Sequence, residues 1–103
     1  MLTLCIRYTI DIDKTAEFET YVAALQEPIR RCGGQNVAYY VPTKIAGRTD
    51  TGYGWIDLPD LAAYERYRAA LLQDEGAIAA LRGVEAARAI RCEDRSFVRR
   101  VPG

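Results

Sequence analysis

Tyr53, Trp55 and Asp57 recur at every second residue, the spacing that puts side chains on one face of a β-strand. Two aromatic rings and a carboxylate on one face can line an apolar cavity. Burial there would raise the pKa of Asp57 and let it act as a general base. The same three side chains can equally pack a dimer interface. Arg7 lies in the middle of an alternating segment, on its polar face. A guanidinium there needs a partner. It either faces the cavity and holds a carboxylate or enolate oxygen, or makes a structural ion pair with Glu93 or Asp57. The chemistry open to these residue types is proton transfer or isomerisation. Asp57 or Glu93 would be the base, with Arg7 and a tyrosine steadying charge on oxygen. Tyr40, Tyr53, Trp55 and Cys5 would contact the ligand, Tyr40 provided that its strand is in register. Cys5 taken alone reads as an inert core thiol, because no histidine can activate it.

The chain contains no histidine at all. That removes the commonest general base near neutral pH, the Ser/Cys–His nucleophile pair, and the commonest metal and haem ligand. Cys5, Cys32 and Cys92 are scattered and form no Cys-x-x-Cys pair. Neither a metal site nor a disulfide framework is expected, and reduced thiols point to the cytoplasm. No cofactor is expected either. The 14 basic residues balance the 14 acidic ones without forming a basic stripe, so nucleic acid is not an expected partner. No apolar run approaches the roughly 18 residues of a membrane span, and no secretion signal opens the chain. Its 103 residues, half of them hydrophobic, suit one domain with its own core.

The elements that must position these side chains follow from periodicity. Leu2–Ile10 alternates strictly, with Leu4, Ile6, Tyr8 and Ile10 on one face and Thr3, Cys5, Arg7 and Thr9 on the other. From Lys14 to about Arg31, Phe18, Tyr21, Val22, Leu25 and Ile29 form a helical stripe, with Asp13 as the expected N-cap. Pro28 should kink this helix or restart its last turn, and Gly33-Gly34 should end it. A second strand spans Val37–Pro42, a loop Thr43–Gly52, and a third strand Tyr53–Leu58. Pro59 should open the next helix, which runs to about Leu72. In that helix Tyr64 and Tyr67 pack onto the sheet. A further helix spans Ala77 to about Ala87, and the last strand Arg88–Val101, where Ile90, Cys92 and Val98 alternate partly with charged residues.

The order β-α-β-β-α-β is the ferredoxin-like plan, an α+β fold whose four-stranded antiparallel sheet carries helices on one face. The bare face would carry Tyr, Trp, Arg and Cys, too apolar as a whole to leave in water. Pairing two such faces in a homodimer closes them into a barrel. The sequence resembles the NIPSNAP family, a branch of the dimeric α+β barrel proteins. The resemblance rests on Ile6-Arg-Tyr-Thr-Ile10 with Lys14-Thr-Ala-Glu-Phe18, on Gly33-Gly34 followed by Tyr39-Tyr40-Val-Pro42, on Leu61-Ala-Ala-Tyr-Glu-Arg-Tyr-Arg68, and on Asp94-Arg-Ser-Phe97. It implies a homodimer whose sheets enclose a cavity, and no single chemistry. The chain departs from it at Asn36 and Val37, where bacterial members are expected to carry histidine.

Two functions fit. One is a cofactor-independent enzyme or binding protein for a small aromatic or polyketide-like molecule in the barrel. The other is a non-catalytic homodimeric interaction module. A pocket lined by Arg7, Trp55 and Asp57 beneath the Thr43–Gly52 loop would favour the first.

Overall fold

The sheet is built around β1 (Leu2–Ile10), which runs antiparallel to both its neighbours, β3 (Thr51–Leu58) and β4 (Ile90–Val98). With β2 (Gln35–Tyr40) on the outer edge of β3, the strand order is β2-β3-β1-β4. The computed structural model describes all residues, 1–103. The alternation of β1 holds as expected. Leu4, Ile6, Tyr8 and Ile10 are buried, and Arg7 is exposed on the other side. In β3 the buried face is Gly52, Gly54, Ile56 and Leu58, which sends Tyr53, Trp55 and Asp57 to the uncovered face together.

Helix α1 (Thr15–Arg31) buries the whole predicted stripe, Phe18, Tyr21, Val22, Leu25 and Ile29, against the sheet. The cap sits elsewhere than expected. Asp11, not Asp13, accepts an N–H bond, from Asp13 at 3.0 Å, and starts a short 3-10 turn that leads into the helix. The helix continues through Pro28 to Arg31 without restarting, and Gly33, at φ +114°, ends it in a conformation that favours glycine.

Helices α2 (Leu61–Leu71) and α3 (Glu75–Ala87) begin with aspartate caps. Asp60 accepts from the Ala63 N–H at 2.8 Å and Asp74 from the Ala77 N–H at 3.0 Å. Pro59 therefore lies outside α2, just before its cap, rather than in the first turn. Of α2 only Tyr67 is buried, while α3 packs along α1. Asp74 also takes a bidentate pair from Arg31, the closest contact being 2.9 Å, so one carboxylate caps α3 and ties it to α1. Those bonds, first the Ala77 N–H and then Arg31, hold the Asp74 carboxyl below its ordinary value of 3.8. A depressed carboxylate contributes stability above its unfolded pKa and loses it as pH falls through the folded one. Asp74→Ala should therefore lower Tm by about 5 °C at neutral pH. The Tm gap between wild type and Asp74→Asn should be full at pH 7 and narrow as thermal melts are taken below about pH 4; a gap that stays constant would refute the ion-pair contribution.

Two bulges shift the sheet from the predicted pattern. Pairing of β2 breaks between Gln35 and Ala38, where Asn36 adopts φ 49°, and the strand starts and ends two residues earlier than expected. In β4, Thr9 pairs with Cys92 but Ile10 pairs with Ile90, so Arg91 is an extra residue. Ile90 and Cys92, expected on one face, consequently lie on opposite faces. The strand is also shorter than Arg88–Val101, because Arg88 caps α3 in the left-handed conformation.

Candidate functional site

The expected residues divide between the two faces of the sheet. On the uncovered face, Tyr40 pairs with Tyr53, Cys5 with Trp55, and Arg7 with Tyr53 on one side and Asp94 on the other. Tyr40 is thus in register, and the Tyr53 and Trp55 rings stack with centroids 6.5 Å apart. Arg7 is paired, but with Asp94 at 3.0 Å rather than with Glu93 or Asp57. Asp57 accepts from the Thr3 hydroxyl at 2.6 Å and from the Asn36 amide at 2.9 Å, so both its oxygens are engaged. Burial raises the Cys5 thiol pKa and the nearby Arg7 charge only partly opposes this, which leaves Cys5 a poor nucleophile. The concavities along the helices and at the Ile10–Arg91 corner are lined by residues other than Arg7, Trp55 and Asp57.

Glu93 is elsewhere. The Arg91 bulge pairs Glu93 with Tyr8 and Arg95 with Ile6, both of which point toward the helices. Glu93 and Arg7 thus stand on opposite faces and cannot serve one site. Glu93 instead pairs with Arg95 at 2.7 Å, and both side chains are about one-third exposed, at 29% and 34%. Burial works against the Arg95 charge, but the Glu93 carboxylate outweighs it and the guanidinium pKa rises.

That ion pair forms one wall of a chamber of about 180 Å³ between helices and sheet. Tyr8 from β1, Tyr21 from α1, Tyr39 from β2 and Tyr67 from α2 project into it, and Arg68, Leu72 and Leu81 stand at its mouth. Gly54 makes room for Tyr39: a Cβ there would lie 2.5 Å from the Tyr39 ring. The Tyr39 hydroxyl is shielded from solvent, with the Tyr8 hydroxyl as its polar neighbour. Burial pushes the Tyr21 hydroxyl up to about 12, with the Glu93 charge adding to the shift. The hydroxyls of Tyr8, Tyr39 and Tyr67 rise further still, again mainly through burial. At neutral pH all four are therefore neutral donors, suited to an acceptor oxygen and unable to act as bases.

Of the expected site residues only Glu93 lines this chamber. Tyr8 carried the sequence signal for it. A tyrosine among the aliphatic inward positions of a strand brings a hydroxyl that must find a partner inside. Gly52-x-Gly54 on the same inward face was the second sign, since glycines there empty space that a ring can fill.

A four-stranded antiparallel sheet carrying three helices on one face, with a chamber between the two layers, defines a ferredoxin-like α+β protein. Solved structures share the fold. An uncharacterised NIPSNAP domain protein of Burkholderia xenovorans matches with a TM-score of 0.74 at 17% identity, over 100% of this chain and 95% of that one. A NIPSNAP family protein of unknown function from Agrobacterium tumefaciens matches with a TM-score of 0.80 at 15% identity, over 95% and 86% of the two chains. An antibiotic biosynthesis monooxygenase matches with a TM-score of 0.69 at 14% identity, over 99% and 100%. Comparison with curated proteins gives no match. A model of the NIPSNAP family matches residues 3–102, and the chain belongs to that family. No helix is long and apolar enough to cross a membrane.

Proposed function

We propose that this protein binds a small, single-ring molecule in the chamber between its helices and sheet, and that it does so as a homodimer. The observation that carries the first part is the chamber itself, about 180 Å³ walled by tyrosine and aliphatic side chains with one ion pair among them. Size decides the class. An apolar cavity of about 150 Å³ holds one benzene, whereas drug-sized ligands need about 300 Å³ or more. At about 180 Å³ the chamber suits one ring with a small substituent, not a polycyclic polyketide. Glu93 is the one carboxylate on the wall. The reaction this wall supports is proton transfer at the ligand, with Glu93 as base and a tyrosine hydroxyl of the wall on the developing oxygen charge.

Calorimetric titration with phenol tests the reading. One molecule bound per chain is expected; no heat with phenol or with any other single-ring compound would overturn it.

The second part rests on the uncovered face, where Cys5, Tyr40, Tyr53, Trp55 and Val98 gather without a helix over them. Two such faces together would bury the stacked rings and desolvate the Arg7–Asp94 pair. Light scattering should give twice the 11.5 kDa chain mass. Trp55→Glu, which sets a charge against its own copy, should give the single-chain mass with an unchanged circular dichroism spectrum. A wild-type mass near 11.5 kDa would reject the dimer. The three free cysteines support a reducing compartment, the cytoplasm.

A further inference from the structure

We infer that the ring bound in the chamber carries an unbranched alkyl chain, which lies in a trough running out of the chamber between α3 and β4. The inference rests on the chamber reading above and adds the ligand's length. On α3, Ala77, Ile78 and Leu81 line the chamber, while Leu81, Val84 and Glu85 line a second hollow beside it, of about 430 Å³. These positions follow one another at helical spacing, so a single face of α3 walls both spaces. On β4, Arg95 and Glu93 line the chamber, while Glu93 and Ile90 line the second hollow. Leu81 and Glu93 are common to both. The two spaces are therefore consecutive stretches of one trough, with Leu81 and Glu93 at its middle.

The bulge at Arg91 builds the strand side of this trough. Ile90 pairs with Ile10 and Glu93 with Tyr8, both of which face the helices, so the extra residue keeps Ile90 on the same side as Glu93. The trough ends where the chain turns from α3 into β4, with Arg88 in the left-handed conformation and Ala89 fully buried. From Leu81 to Arg88 the helix covers about 10 Å, at about 1.5 Å per residue. Leu81, Val84 and Ile90 supply an aliphatic floor, and Glu85 and Arg88 stand on the exposed rim. Such a floor has no side-chain donor or acceptor for a polar substituent and rewards only apolar area removed from water. Leu81 is 43% exposed, so part of that area stands in water until a chain covers it. An extended chain advances about 1.2 Å per bond, a third of the reach of one extended residue, so about eight bonds fill the trough.

Calorimetric titration of the full chain with phenol and with 4-ethyl-, 4-butyl-, 4-hexyl-, 4-octyl- and 4-decylphenol tests this. Affinity is expected to rise about two- to threefold per methylene, at one molecule per chain. That is below the roughly fourfold of full burial, because the trough is open on one side. The rise should stop at about eight carbons, with 4-decylphenol no tighter than 4-octylphenol. Ile90→Asp sets a carboxylate in the floor without touching the chamber wall. It should abolish the rise and leave phenol affinity unchanged. If the wild type binds phenol and the longer phenols no better, the trough inference is wrong while the chamber reading stands. The wild-type series decides this even if Ile90→Asp does not fold. A rise that persists in a folded Ile90→Asp chain puts the alkyl group elsewhere and overturns the inference as well. If no ring compound binds, both readings fall.

Discussion

Replacing Phe18 with alanine should lower the stability of the chain by about 3–5 kcal/mol, the largest loss expected of any single truncation in this core. Phe18 is fully buried, and its ring meets Tyr8 edge-on at 5.0 Å and Tyr21 at 6.3 Å. Its far edge lies over Gly52, where an added Cβ would sit 2.8 Å from the ring. The ring therefore fills a hollow that the sheet itself leaves, and the backbone of β3 cannot close on the space if the ring is removed. A site that cannot collapse keeps the full cavity term. Against a total stability of about 5–15 kcal/mol, the midpoint in urea should fall steeply with the slope unchanged. In thermal melts the loss corresponds to roughly 15 °C or more. A loss under about 1 kcal/mol would mean that the core repacks freely and that Gly52 is no constraint.

Gly54→Ala should cost the chamber its ligand before it costs the protein its fold. The new Cβ would fall 2.5 Å from Cε1 and 2.9 Å from Cζ of Tyr39, closer than packed carbons approach. The ring stands on edge strand β2, so it is the ring that yields and not the paired backbone of β3. Turning it aside reshapes the part of the chamber wall that Tyr39 forms. Overpacking of this kind costs about 1–3 kcal/mol, which leaves a folded chain at 25 °C. Affinity for phenol should drop about tenfold or more, because the displaced ring takes space that a ligand ring would fill. Calorimetry alongside a urea titration separates the two effects. Unchanged phenol affinity in a folded Gly54→Ala chain would detach Tyr39 from binding.

The framework was legible because each part of it repeats. The alternation of Leu4, Ile6, Tyr8 and Ile10 has a period that one residue of error would have destroyed, and the stripe from Phe18 to Ile29 shares its face over more than three turns. Gly33-Gly34 marked the helix end because the chain there needs a positive φ. The uncovered set, Tyr53, Trp55 and Asp57, was readable for the same reason. What escaped was aperiodic. Nothing in Ala89-Ile-Arg-Cys-Glu93 announces that Arg91 will be left out of the ladder, so Glu93 was assigned to the face of Arg7. Asp60 and Asp74 cap α2 and α3, but which residue caps a helix is decided by local geometry within a turn. The chamber itself is a meeting of Tyr8, Tyr21, Tyr39 and Tyr67 from four different elements, and no spacing along the chain records that meeting.

The extra residue at Arg91 gives β4 a second meaning. Beyond it the strand is read in one of two frames. In the frame it occupies, Glu93, Arg95 and Phe97 stand on the helix side of the sheet, while Cys92, Asp94 and Ser96 belong to the outer face. One residue fewer at this point would exchange the two sets without altering a single side chain. The charge that faces the chamber is thus written in the length of the chain as much as in its letters. Among chains of this fold, a one-residue difference at this corner would reassign the chemistry of both faces at once.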